Sequence, residues 1–178
     1  MLLYMSKKTK KLKNIIMPAT STQVKYKEIN LKGVSLEGVL KCGCCQKEWP
    51  RFHFTYDKYQ KHGLNSACKY CQTVRLSKSR TSKKDKSVFI TLEEFHSLLD
   101  MNCVWCGSKG GSVDRWHSDL NYIRANVVPA CALCNKVKRD CTVKEFITYN
   151  KRINPDYKPL VEYDEDYDLV NPPLGIDI

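Results

Sequence analysis

The chain has 178 residues, with 30 Lys and Arg against 19 Asp and Glu, a net charge of +11, and ten cysteines. Hydrophobic residues make up 42%, too many for a wholly disordered chain. The only apolar N-terminal run, Leu2 to Met5, is far short of the ~20 residues of a membrane span. No apolar stretch of ~7–15 residues with a small-residue cleavage site follows the basic run, so no secretory signal is expected. An intracellular, reducing compartment follows as the expectation, and there paired thiols indicate metal more often than disulfide.

In chain order, residues 1–40 read as a basic arm. Lys7-Lys8-Thr9-Lys10-Lys11-Leu12-Lys13 has no apolar face, and its like charges repel one another. Short apolar and polar alternation over 24–40 predicts a strand or two, with Gly33 and Gly38 as punctuation. Residues 41–86 form a first four-cysteine module, in which Cys42 and Cys45 precede Cys68 and Cys71. Phe52, Phe54 and Tyr56 alternate as on a strand, and His62-Gly63 supplies a turn. His53 and His62 read as surface or DNA-facing residues. A helix is expected to start at the second knuckle and to run into a basic linker; Arg75, Lys78, Arg80, Lys83 and Lys84 would track phosphates there.

Residues 87–155 form a second module. Thr91 and Glu94 make a capping box ahead of a helix with Leu92, Phe95, Leu98 and Leu99 on one face. Cys103 and Cys106 precede Cys131 and Cys134. Short strands are expected at 112–116 and 126–130, then a helix holding Asn135 and Lys138. A second capping box, Thr142 with Glu145, opens a final helix packed through Val143, Phe146, Ile147 and Ile153. Residues 156–178, with one Lys and seven acids, read as an extended acidic tail.

The two cysteine groups share one layout, a CxxC, a spacer of 22 or 24 residues, and a second CxxC. Two residues between thiolates let both turn onto one tetrahedral Zn²⁺ at ~2.3 Å, and four thiolates leave no open position, so two structural zinc ions are expected. Cys44 and Cys141 are left over. A module as short as the first cannot fold on its apolar residues alone, and metal would supply what is missing. The fold class expected is α+β, built of small zinc-stabilised modules.

The second module resembles the HNH nucleases, particularly the zinc-containing branch typified by recombination endonuclease VII. The resemblance covers Cys103 to about Ile153. It rests on the CxxC-Gly at 103–107, the strand ending at Asp114, Asn-Val-Val-Pro at 126–129 and Cys-x-x-Cys-Asn-x-x-Lys at 131–138. The stretch from Cys42 to Cys71 looks like a zinc-ribbon segment of phage and viral nucleases of this type. The resemblance implies a treble-clef-like ββα-metal unit in the C-terminal half and a metal-dependent DNA endonuclease acting on duplex or branched DNA. It implies that Asp114 and Asn135 share one catalytic Mg²⁺ and that Asn126 pins the loop carrying the general base. In most such sites the residue after the metal-binding Asp is the base histidine. Here that residue is Arg115, suited only to clamp phosphate or stabilise the transition state, and His117 is the nearest imidazole. Lys136, Lys138 and Arg139 would line the phosphate path. Junction resolution or double-strand cutting would favour a homodimer. The alternative reading is a catalytically inactive zinc-binding nucleic-acid adaptor in transcription or packaging, which Arg115 favours.

Overall fold

The computed structural model describes residues 34–79 and 87–161, so most of the basic arm, the linker at 80–86 and the acidic residues after 161 lie outside it. Along the described residues, three small antiparallel hairpins and four α-helices follow one another. None of the described helices is long and apolar enough to cross a membrane.

In the first module, β1 (Val39–Lys41) pairs with β2 (Glu48–Pro50), and the turn between them is the first knuckle. Gln46, at φ 61°, takes the left-handed conformation that brings its N–H back to the Cys42 carbonyl at 3.0 Å. A 3₁₀ turn (Arg51–His53) leads into β3 (Phe54–Tyr56), so the expected aromatic alternation begins as a turn and straightens only at Phe54. β3 pairs with β4 (Leu64–Cys68), whose last residue opens the second knuckle, and α1 (Lys69–Ser79) continues from it. Phe54, Leu64 and Ala67 close over Cys42 and Cys68, a core too small to stand without the thiol cluster.

In the second module, α2 (Leu92–Asp100) starts on the expected capping box, with both reciprocal bonds of Thr91 and Glu94 made. Its Phe95, Leu98 and Leu99 lie under β5 (Ser112–Arg115) and β6 (Val127–Ala130), against Val113 and Val127. β5 and β6 pair from Ser112 opposite Ala130 to Arg115 opposite Val127. Cys131 caps α3 (Ala132–Lys138), and the capping box of Thr142 and Glu145 opens α4 (Val143–Ile153). The other face of the hairpin meets Trp105, Trp116, Phe146 and the second thiol cluster. The rings of Trp105 and Trp116 stack at 5.2 Å beside this cluster.

Two expectations need correction. The segment at 156–161 is not part of a solvated tail: the Tyr157 hydroxyl donates to the Trp105 carbonyl at 2.9 Å and the Leu160 N–H to the Val104 carbonyl at 2.8 Å. Tyr157 and Val161 are buried in the second core, because two apolar side chains there outweigh the acidic composition around them. His53, expected at the surface, is buried between the modules. Its Nε2 donates to Asp100 Oδ1 at 2.9 Å, which leaves Nδ1 to accept from His96 Nδ1–H at 2.7 Å. Trp49 stacks on the His96 ring at 3.7 Å, and burial beside His53 pushes His96 down to about 3. The half-buried Lys69 ammonium donates to the Phe52 carbonyl at 2.6 Å and to the Gly111 carbonyl at 2.7 Å, joining the two modules directly.

Candidate metal centres and the loop between the second hairpin and its helix

The sulfurs of Cys42, Cys45, Cys68 and Cys71, and those of Cys103, Cys106, Cys131 and Cys134, lie within 4.8 Å of one another in each cluster. A tetrahedron with ~2.3 Å arms has edges of about 3.8 Å. Cys42 and Cys71 stand 3.9 Å apart and Cys106 and Cys131 3.8 Å, so both clusters fit zinc as drawn. Backbone donors already aim at the sulfurs: Cys68 N–H at Cys42 Sγ (3.2 Å) and Cys134 N–H at Cys131 Sγ (3.3 Å). Cys44 is exposed, and Cys141 is half-buried against the second core; neither joins a cluster.

The second cluster holds a hairpin and a helix in the order strand, loop, strand, knuckle, helix, which positions the loop at 116–126. Asn126, fully buried at its end, uses its whole carboxamide on that loop. Its Oδ1 accepts the His117 N–H at 2.8 Å, and its Nδ2 donates to the His117 carbonyl at 3.1 Å and the Asn121 carbonyl at 2.9 Å. The Trp116 N–H closes onto the Asn126 carbonyl at 2.8 Å. His117 is therefore held at both of its main-chain groups, with its half-buried imidazole presenting a shielded Nε2 that has no hydrogen-bond partner. Arg115 donates to the Leu120 carbonyl at 3.0 Å and lies over the Tyr122 ring at 5.1 Å.

Asp114 does not present a free carboxylate. It is 4% exposed, accepts the Trp105 indole N–H at 3.1 Å, and has the Lys138 ammonium 3.4 Å away. Lys138 is 0% exposed and also donates to the Arg115 carbonyl at 2.6 Å and to Ser118 Oγ at 3.3 Å. Burial pushes the Asp114 carboxyl up, against the pull of Lys138 and Trp105, and pushes the Lys138 ammonium down, against the pull of Asp114. Asn135 turns its amide nitrogen onto Ser112 Oγ (2.6 Å) and the Val113 carbonyl (3.2 Å). The expected Mg²⁺ pair of Asp114 and Asn135 does not fit this arrangement, since an ammonium already sits against the carboxylate a divalent cation would need. Lys138 likewise leaves the expected phosphate path. Its burial has a sequence signal, because Cys131, Cys134 and Lys138 fall at helical spacing on one face of α3, the face turned to the core.

Of the other expected phosphate contacts, Lys136 and Arg139 are exposed around the end of α3, and Arg75 and Lys78 are exposed on α1. Arg80, Lys83 and Lys84 lie outside the described residues. Sequence reasoning missed the bond from the Trp105 indole to Asp114, and it missed Ser118. Ser118 donates to the Arg139 carbonyl at 3.0 Å and the Cys141 carbonyl at 3.3 Å, fastening the loop to the end of α3.

No family model matches the chain. Among curated proteins it is similar to uncharacterized protein R423 of Acanthamoeba polyphaga mimivirus, 34% identical over 74 residues, or 39% of this chain. The chain spans only 14% of that protein's length. Among solved structures it is similar to the rare-cutting HNH restriction endonuclease PacI, with a TM-score of 0.44 and 19% identity over 65% of this chain and 94% of that one.

Proposed function

We propose that this chain is an endonuclease of HNH type, hydrolysing phosphodiester bonds of DNA, with two structural zinc ions held by its eight clustered cysteines. The observation that carries the reading is the Asn126 carboxamide, fully engaged in fixing the main chain of His117 next to Arg115 on a ββα unit clamped by four thiols. His117 is the candidate base, imidazole being the side chain best suited to taking a proton from water at neutral pH. Arg115 cannot act as a base and is the candidate clamp for the scissile phosphate. Lys136, Arg139, Arg75 and Lys78 supply sequence-independent attraction to the polyanion. No catalytic step is assigned to Asp114, which Lys138 and Trp105 hold in the interior.

The test is a supercoiled-plasmid nicking assay on zinc-loaded protein, with and without added Mg²⁺. Wild type is expected to nick. His117→Ala is expected to lose activity about 100-fold or more, the usual scale for removing a general base, with zinc content unchanged. Cleavage at the wild-type rate in both His117→Ala and Arg115→Ala would sink the assignment.

A second reading, a nucleic-acid binder that does not cut, is favoured by the Asp114–Lys138 pair. It predicts salt-sensitive binding with no product on linear, nicked or branched DNA under any divalent condition.

A further inference from the structure

The loop joining β3 to β4 carries a surface that neither thiol cluster nor the His117 loop explains. Tyr59 is 84% exposed and Tyr56 50% exposed, and the Lys58 ammonium stands 4.8 Å from the centre of the Tyr59 ring. Beside them an open groove of about 430 Å³ is lined by Arg51, Tyr56, Lys58, Lys61 and His62, with one acid, Glu37, also in its wall.

The loop is built, not slack. The Asp57 N–H reaches the Gly63 carbonyl at 2.9 Å, the Gln60 N–H the Asp57 carbonyl at 3.2 Å, and the Gly63 N–H the Gln60 carbonyl at 2.9 Å. Asp57 Oδ1 accepts the Tyr59 N–H at 3.0 Å, so this acid is occupied in fixing the tyrosine backbone. Gly63 has φ +70°, and a Cβ there would fall 2.2 Å from Val34, so the turn admits no side chain. Arg51 is positioned by bonds from Nε to the Ser35 carbonyl (2.8 Å) and from its terminal nitrogen to the His62 carbonyl (3.5 Å). The result is two exposed tyrosines and two lysines on a hairpin with a fixed backbone, with the tied Arg51 guanidinium beside it.

We propose that this hairpin is a docking platform for unpaired nucleotides, with bases stacking on Tyr59 and Tyr56 and phosphates passing Lys58, Lys61 and Arg51. The inference rests on the nucleic-acid reading above and adds a substrate class to it. Stacking on a tyrosine needs an open base face. A duplex buries its base faces in the helix, whereas a single strand, a gap or a branch point offers them. Lone exposed aromatics are ordinary on protein surfaces. Two of them flanked by cations, on a loop whose backbone bonds hold them outward, match the combination that binds single strands without sequence preference.

The experiment uses the full, zinc-loaded chain and fluorescence anisotropy with a labelled oligothymidine and a duplex of equal length. Tyr59→Ala is expected to weaken single-strand binding by about 5- to 100-fold and to leave duplex binding within about twofold. Tyr59→Phe is expected to retain it. Lys58→Gln with Lys61→Gln should flatten the log affinity against log salt slope by about 1.4, roughly 0.7 for each lost phosphate contact. Unchanged zinc content and melting temperature show that the variants fold. If wild type binds single strands and Tyr59→Ala and Tyr56→Ala bind them equally well, the platform is overturned, and a protein partner becomes the occupant to seek. If wild type binds no polynucleotide at low salt, the nuclease reading itself fails.

Discussion

Lys138 carries a positive charge on the face of α3 that water does not reach. A buried lysine is tolerated only when its charge is met, and Asp114, the Arg115 carbonyl and Ser118 meet it. Breaking such a pair from one side leaves a lone charge in the interior and typically costs about 3–5 kcal/mol. Lys138→Met is therefore expected to destabilise the zinc-loaded protein on that scale in urea titration. Adding Asp114→Asn should restore much of the loss, since both charges then go together. A free carboxylate at Asp114 would give the opposite pattern, with Asp114→Asn nearly neutral for stability. Asp114, Arg115, His117, Asn126 and Asn135 stand out in the sequence as candidates because of their placement relative to the CxxC motifs. Their partners were not. Trp105 reaches Asp114 across nine residues and Lys138 across twenty-four, and only the folded hairpin brings those distances down to bonding range.

At the scale of elements, local chemistry explains what could be read. The two capping boxes, the four CxxC turns and most of the apolar stripes of α2 and α4 depend on residues within one or two turns of each other and form as expected; at the stripe ends, Leu92 packs on the first core instead and Ile153 is only half-buried, outside the second. Features that depend on distant chain stayed hidden, among them the pairing of His53 with His96 and the return of Tyr157 to Trp105. The caps differ in what they support. Thr142 starts α4, whose Phe146 and Ile147 close the second core, while Thr91 starts α2, which backs the β5–β6 hairpin. Replacing either by Ala removes the acceptor for an N3 amide and should cost about 1 kcal/mol. Thermal melts of the two variants and their double are expected to show nearly additive losses, because the two caps lie on separate helices with no shared partner.

At the scale of the whole molecule, the described chain has three small clusters of buried apolar residues, and two of them include the metal-binding thiols. None approaches the size at which burial alone sustains a domain, so metal binding and folding should be one equilibrium. Stripping metal with a strong chelator is expected to abolish the cooperative melt and to render the clustered cysteines reactive to a thiol reagent, and readding Zn²⁺ should reverse both. Lys69 gives this coupling a direction. It follows Cys68 of the first cluster in the chain, burial pushes its ammonium down to about 8, and its two acceptors, at Phe52 and Gly111, belong to different modules. Gly111 immediately precedes β5, the strand that delivers Asp114 and Arg115. A metal in the first cluster would thus act as a keystone for a site it never touches: on its removal the clasp beside it is expected to slacken, and the entrance to the second hairpin to lose its anchor.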